Sequence, residues 1–151
     1  MYKNKEGYAD PTAGAAMSKM MREYRQKQRQ VFGRNSEIKG RPKVYIASKY
    51  AGDIAKNTAA AIQYARFAIE SKRIPVVSHL LYPQILDDSD PEQRELGLLF
   101  GQALLVLCEE VWVFGTDYSP GMQAEIHEAR RLNKQIRFFT EGLEEIHEND
   151  R

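Results

Sequence analysis

Residues 111–125 read Val111-Trp-Val-Phe-Gly-Thr-Asp-Tyr-Ser-Pro-Gly-Met-Gln-Ala-Glu125. The first four residues are apolar and rich in β-forming types, which is typical of a strand buried on both faces. A glycine and a short polar loop follow, and the pattern then predicts a helix from Gly121 to about Leu132. A buried strand that leads through a short loop into a helix is the repeating unit of parallel α/β sheets.

The same alternation of strand and helix continues on both sides of this segment. Apolar runs predict three further strands, at Val44–Ala47, Ile74–Ser78 and Gln135–Phe139. Capping patterns predict two further helices, one from Asp53 or Asn57 to about Ser71 and one from Pro91, behind the cap Asp90, to about Cys108. We therefore predict an α/β fold with a doubly wound, mainly parallel sheet of the Rossmann-like or flavodoxin-like kind.

Residues 1–41 differ from the rest and are predicted to form a basic N-terminal extension. One helix is predicted in it, at Ala15–Phe32, where methionines and Tyr24 partly follow a helical spacing and arginines and lysines give a basic side. The α/β domain is predicted to occupy residues 42–151. A charge-rich helix is typical of a solvated face or an oligomer arm, and binding to a partner or to nucleic acid is the alternative.

Composition narrows the classes of function. A chain of 151 residues suits one domain with a real core, and a formal net charge of +1 gives no general attraction to nucleic acid or to membranes. The single cysteine, Cys108, excludes an internal disulfide and a cysteine cluster for a metal. No stretch is long and apolar enough to span a bilayer and the N-terminus lacks an apolar signal core, so we expect a cytoplasmic protein.

Motifs for common cofactors and metals are also missing from the sequence. It contains neither the Gly-Lys phosphate loop of NTPases nor the Gly-x-Gly-x-x-Gly pattern of dinucleotide-binding proteins, so we expect no cofactor. Asp87, Asp88 and Asp90 lie close together in one loop. Such a group is more typical of a solvated loop than of a cation site, so we expect no metal.

Polar and aromatic side chains gather in the loops that follow the predicted strands. In an open parallel sheet, ligands bind beyond the carboxyl ends of the strands. The loops that leave those ends are 48–57, 78–91 and 115–121. The candidate substrate-binding residues in or just after them are Ser48, Tyr50, Gly52, Asp53, His79, Asp117, Ser119, Gly121 and Met122.

The segment from Ser119 to Glu125 carries the clearest chemical signal. Free backbone N–H groups at the start of a helix favour an anion such as phosphate, and Ser119 adds a hydroxyl. Glu125 lies about one turn into the helix, so its side chain can point back toward the strand end. A carboxylate beside a phosphate pocket can attack the anomeric carbon of a bound sugar. The plainer alternatives are turn and cap chemistry for Ser-Pro-Gly and a helix-dipole role for Glu125.

In three stretches the chain resembles the nucleoside 2-deoxyribosyltransferase-like superfamily. They are Lys43-Val-Tyr-Ile-Ala-Ser-Lys-Tyr-Ala-Gly-Asp53, Pro75-Val-Val-Ser-His-Leu-Leu-Tyr-Pro-Gln84 and the segment that starts at Val111 and continues through Ser119-Pro-Gly-Met-Gln-Ala-Glu-Ile126. The resemblance covers about residues 43–139 and is greatest to uncharacterised proteins of phages and mobile elements. It implies homo-oligomers and a nucleoside or nucleotide as the small-molecule partner.

The resemblance also implies roles for particular residues. Glu125 matches the superfamily's nucleophile, and Tyr45 matches a tyrosine that orients it. Ser119 matches the serine with which deoxynucleoside-monophosphate N-glycosidase holds the 5′-phosphate, where the transferases carry an aspartate. The implied activity is that of an N-glycosidase or 2-deoxyribosyltransferase on a nucleoside 5′-monophosphate, through a covalent glycosyl-glutamate.

One position departs from the superfamily pattern. Its enzymes carry an aspartate near the middle helix that contacts the base or serves as acid, and our alignment places Gly101 there. Glu95, Glu109 or a loop acid such as Asp88 can substitute for it. Without an acid the cleavage slows, typically by about 10²–10⁴-fold. The alternative function is therefore a non-catalytic binder of a nucleotide or a nucleotide-derived signal.

Overall fold

The structure, a computed structural model, describes residues 3, 5–7 and 10–147. Contacts within the chain group it into two units, residues 1–40 and 41–151. No helix in the described part of the chain is long and apolar enough to cross a membrane.

The first unit contains one long helix, α1 (Pro11–Lys39), none of whose residues is buried. It is longer at both ends than the predicted helix, which started at Ala15 and ended at Phe32. The cause at the N-terminus is Asp10, whose carboxylate accepts hydrogen bonds from the backbone N–H groups of Thr12 and Ala13 at 3.0 Å. Pro11 occupies the first helical position, where its missing N–H is not needed.

The second unit alternates strands and helices, and the predicted fold class is confirmed. Its elements are β1 (Lys43–Ala47), α2 (Ile54–Glu70), β2 (Ile74–Val76), 3₁₀ turns at Ser78–Leu80 and Tyr82–Gln84, α3 (Pro91–Val106), β3 (Glu110–Phe114), α4 (Pro120–Arg131), β4 (Gln135–Phe139) and β5 (Glu145–Ile146). The sheet order is β2-β1-β3-β4-β5. All neighbours are parallel except β4 and β5, which are antiparallel.

Two details of the sheet differ from the predicted one. β5 was not predicted, because two residues are too short to show a period. β2 ends at Val76, and Ser78, which we assigned to the strand, starts a 3₁₀ turn instead. The apolar pair before Ser78 continues the strand-like pattern, so composition alone does not reveal where pairing stops.

The alternation of side chains along the strands builds a separate core on each face of the sheet. On one face, Val44 and Ile46 pack with Trp112, Phe114 and residues of α2. On the other face, Tyr45 and Val111 pack with residues of α3 and α4. Trp112 is fully buried, and aromatic rings surround it. Since β3 lies in the middle of the sheet with helices on both sides, all five of its residues are buried.

The chain order of the strands fixes where a ligand can bind. From β1 the chain passes through α2 to β2 on one side, and then through α3 to β3 on the other side of β1. The reversal between β1 and β3 opens a crevice at their carboxyl ends, which is where open α/β sheets bind ligands. Tyr45 of β1 and the start of α4, which follows β3, lie at this point.

Candidate functional site

A cavity of about 230 Å³ lies at the carboxyl ends of β1 and β3. Its walls come from β1, the loop after β1, the two 3₁₀ turns, one face of α3 and the first turns of α4. The predicted residues that line it are Tyr45, Tyr50, His79, Ser119, Gly121, Met122 and Glu125. Loops and helix starts that are far apart in sequence therefore meet around one space.

Glu125 and Tyr45 both line this cavity and are hydrogen-bonded to each other. The phenol Oη of Tyr45 donates a hydrogen bond to Oε1 of Glu125 at 2.6 Å. The second carboxylate oxygen, Oε2, is shielded from solvent and has no hydrogen-bond partner in the structure. Burial raises the pKa of Glu125 to about 7, although the hydrogen bond from Tyr45 acts in the opposite direction. One oxygen is thus held in place by Tyr45, while the other has no hydrogen-bond partner in the protein.

Ser119 begins α4 and faces the same cavity. Its backbone is extended, and its Oγ accepts a hydrogen bond from the backbone N–H of Met122 at 3.2 Å. Because Oγ acts there as an acceptor, the hydroxyl proton remains available for a ligand. Pro120 has no N–H, so Gly121 offers the first backbone donor of the helix. The hydroxyl, this N–H and the helix dipole together favour an anion.

His79 and Tyr50 both line the cavity, and their rings stack on each other. Their rings are stacked with centroids 5.3 Å apart and an angle of 14° between the planes. Burial lowers the pKa of His79, while a hydrogen bond with the backbone of Ser48 and the charge of Asp88 oppose that shift. The imidazole is therefore neutral at neutral pH and has one nitrogen that accepts a hydrogen bond.

Four predicted site residues do not line the cavity. Asp53 caps α2, where its carboxylate accepts from the backbone N–H of Lys56 at 3.1 Å. Asp117 is exposed and pairs with Lys49. Gly52 lies in the same loop as Asp53 with φ of +99°, and a side chain added there would meet nothing. Ser48 is buried and does not line the cavity, and its Oγ has no hydrogen-bond partner.

The sequence did not reveal several residues that do line the cavity. They are Ala51, Ser78, Tyr82, Pro83, Leu86, Gln93, Arg94, Gly97 and Leu98, beside Asp88 and Gly101. Arg94 is the cationic side chain in that set, and it projects from the second turn of α3. Its position seven residues before Gly101 on a helix was the available signal, because residues two turns apart share a helix face.

The three acids that we considered as substitutes at Gly101 lie in different places. Asp88 lines the cavity. Glu109 accepts a hydrogen bond from the backbone N–H of Lys43 at 2.6 Å and is outside it. Glu95 is exposed on α3 and is not a lining residue. Among residues 10–147, no group of three His, Cys, Asp or Glu side chains is arranged to hold a metal ion.

Comparison of the sequence with models of protein families shows which family it belongs to. The family of a domain of unknown function, DUF7768, matches residues 42–139, which include every strand of the parallel sheet and the whole cavity. The chain belongs to the DUF7768 family. No curated protein matches the sequence significantly.

This DUF7768 chain was also compared with solved structures, two of which are 2-deoxyribosyltransferases. A 2-deoxyribosyltransferase from Bacillus psychrosaccharolyticus superposes with a TM-score of 0.56 and 13% identity, over 65% of this chain and 72% of that one. A 2-deoxyribosyltransferase from Leishmania mexicana gives a TM-score of 0.47 and 13% identity, over 66% of this chain and 64% of that one. At such identity the first comparison establishes a shared fold.

Proposed function

We propose that this protein is an N-glycosidase or 2-deoxyribosyltransferase that acts on a nucleoside 5′-monophosphate with Glu125 as nucleophile. The observation that carries the proposal is the hydrogen bond of 2.6 Å from Tyr45 to Glu125 inside a cavity, with the second carboxylate oxygen unpartnered. Similarity of fold to 2-deoxyribosyltransferases supports it. A fold alone does not imply an activity, so the proposal depends on the residues of the cavity.

The proposed reaction has two steps. Oε2 of ionised Glu125 attacks the anomeric carbon of the sugar, the bond from that carbon to the base nitrogen breaks, and its electron pair leaves with the base. The leaving base takes up a proton from solvent, and Asp88, an exposed carboxyl group that lines the cavity, is the group proposed to relay it. Water then attacks the anomeric carbon of the glycosyl ester, the bond from that carbon to Oε2 breaks, and the proton of the water goes to solvent, which restores ionised Glu125 and completes hydrolysis. A second base in place of water completes transfer.

In this proposal Tyr45 orients the nucleophile and Ser119 binds the phosphate end of the substrate. Tyr45 fixes Oε1 and so directs Oε2 toward the sugar. Ser119, Gly121 and the start of α4 bind the 5′-phosphate. The stacked wall of Tyr50 and His79 offers a surface against which the base can pack.

The test is base release from deoxynucleoside 5′-monophosphates, followed by chromatography. We expect free base with at least one of the common bases, and a slower reaction with the matching nucleoside that lacks the phosphate. Adding a second base distinguishes transfer, which yields a new nucleotide, from hydrolysis, which does not. Absence of base release from every substrate, by a protein shown to be folded, would contradict the proposal.

Replacing Ser119 by Ala should weaken binding of the phosphate. We expect KM for the monophosphate to rise about 10-fold, since a hydrogen bond to a charged group is lost. Loss of the cap should also lower the free energy of unfolding by about 1 kcal/mol. Ser119→Thr, which keeps the hydroxyl, is the matched control. Steady-state kinetics measure KM for both variants, and urea unfolding measures their stability. An equal rise in KM for the nucleoside without phosphate would show that Ser119 does not read the phosphate.

A second candidate function is binding of a nucleotide without turnover. Gly101 favours it, because this residue of the cavity wall offers no acid, whereas the superfamily resemblance implies an acid at this position. Calorimetry with nucleoside monophosphates, followed by recovery of the ligand, separates the two functions. Tight binding with the ligand recovered intact supports the binder, and free base supports the enzyme.

We also propose that the protein is a homo-oligomer that associates through α3. This helix exposes Leu96, Leu98, Leu99, Phe100 and Val106, with Leu107 just after it, at 39–67% of their surface. Leu98 lines the cavity as well, so a second copy packed on α3 would complete its wall. Exposed apolar groups of this size are typical of interaction sites.

Replacing Leu99 by Glu should dissociate this oligomer. A charge placed in an apolar interface loses its hydration without a partner, so we expect a shift from oligomer to monomer. Light scattering after gel filtration measures the mass. Ile62→Glu, on the exposed side of α2, is the matched control. A wild-type protein that is already monomeric at working concentration would exclude the proposal.

A further inference from the structure

We propose that Ser78 is a positioning residue that orients the phenol of Tyr45 toward Glu125. In its catalytic consequences this inference rests on the proposed function. Three buried or half-buried side chains form a chain of two hydrogen bonds. Oγ of Ser78 lies 2.8 Å from Oη of Tyr45, and Oη lies 2.6 Å from Oε1 of Glu125. Neither sequence pattern nor the superfamily resemblance assigns a role to Ser78.

Counting protons fixes the direction of this chain of hydrogen bonds. Burial and the neighbouring Glu125 raise the pKa of Tyr45 well above its usual range, so the phenol keeps its single proton. An ionised carboxylate can only accept, so that proton points to Glu125. The remaining lone pairs of Oη then accept, and the hydroxyl proton of Ser78 is the one that reaches them. The order is therefore Ser78 to Tyr45 to Glu125.

The surrounding structure holds the two hydroxyl groups together. Ser78 is 6% exposed and begins a 3₁₀ turn, in which its carbonyl accepts from the backbone N–H of Leu81 at 3.1 Å. The backbone of α3 closes over the pair at Gly101. A Cβ at that position would lie 3.3 Å from Oη of Tyr45 and 3.5 Å from Oγ of Ser78. The absence of a side chain at Gly101 thus leaves room for the hydroxyl pair.

This arrangement predicts how Ser78 acts at a distance from the sugar. A phenol that accepts a hydrogen bond becomes a stronger donor, because hydrogen bonds in a chain polarise one another. The stronger donor favours the ionised form of Glu125. The other titratable groups that line the cavity are His79 on the 3₁₀ turn, Asp88 in the following loop and Arg94 on α3. None of them changes when Ser78 is replaced.

The test is the titration of Glu125 in Ser78→Ala, with two readouts. The first is the carboxyl ¹³C chemical shift of Glu125 without substrate, assigned by its loss in Glu125→Gln. We expect its midpoint to rise by up to about one pH unit. The second is the acid limb of the kcat profile, which should move by the same amount, so that activity falls up to about 10-fold below the midpoint and recovers at high pH. KM should change less than two-fold.

Two further variants distinguish positioning from packing. Ser78→Thr keeps the hydroxyl and should restore the wild-type titration. Val113→Ala alters a buried apolar residue of the same core without touching the hydroxyl chain, and it should leave the midpoint unchanged. A Glu125 midpoint that is the same in Ser78→Ala and wild type would overturn the inference. If no nucleotide is cleaved by wild type, the proposed function fails, while the ¹³C titration still decides the role of Ser78.

Discussion

Replacing Glu125 by Gln is expected to lower kcat for base release by about 10⁴-fold or more, the scale of loss seen when a covalent nucleophile is removed. The amide has nearly the same shape, and its carbonyl oxygen can still accept the hydrogen bond from Tyr45. What it lacks is the negative charge that attacks the anomeric carbon. Substrate binding should therefore change little, and the loss should appear in kcat rather than in KM.

Single-turnover kinetics with a deoxynucleoside monophosphate measure this effect. The matched control is Glu128→Gln on the same helix, where the carboxylate is paired with Arg131 at the surface. That variant should retain wild-type rates. If Glu125→Gln still released base within 10-fold of the wild-type rate, the carboxylate would be a structural group and another residue would carry the chemistry.

The second large effect of Glu125→Gln is on stability. This substitution is expected to abolish activity but to stabilise the fold at high pH. The folded protein holds the pKa of Glu125 at about 7, compared with 4.5 for an ordinary glutamate. The folded state therefore retains a proton that the unfolded state releases between those two values. Below pH 4.5 the carboxyl is neutral in both states, and the free energy of unfolding falls as the pH rises through about 7.

Above pH 8 the ionised, buried carboxylate should cost about 3 kcal/mol of stability. Glu125→Gln removes that cost, so the variant should be more stable than wild type by this amount at pH 8.5 and nearly equal to it at pH 4.5. Urea unfolding at the two pH values measures the difference. Equal stabilities at pH 8.5 would mean that the carboxylate is well solvated. Over the same range the activity of wild type should rise, because the ionised form is the nucleophile.

The order of strands and helices could be predicted from the sequence because each buried strand is a continuous apolar run. Val111–Phe114 is bounded by polar residues and a glycine, and the predicted strand at Gln135–Phe139 matches β4. The caps Asp53 and Asp90 were visible as well, since a cap is a local contact. The N-terminal end of α1 was missed because proline and glycine, here Pro11 and Gly14, are typical of helix ends, although proline in the first turn is compatible with a helix.

The cavity was predicted only in part, for a different reason. The rule that ligands bind at the carboxyl ends of strands selects loops, but it does not say which way a side chain points. Asp117 and Asp53 lie in the selected loops and turn to an ion pair and a helix cap. Ser78 and Arg94 line the cavity because a 3₁₀ turn and a helix face bring them there. Such placements depend on packing between elements, which no local pattern records.

The central claim is that Glu125 becomes covalently attached to the sugar. It is tested most directly by mixing protein with a deoxynucleoside monophosphate, quenching in acid at short times and mapping the peptides by mass spectrometry. We expect a peptide that contains Glu125 and carries the mass of one deoxyribose phosphate, and we expect it to be absent in Glu125→Gln. Release of base with no modified peptide at any time, or with the sugar attached elsewhere, would contradict it.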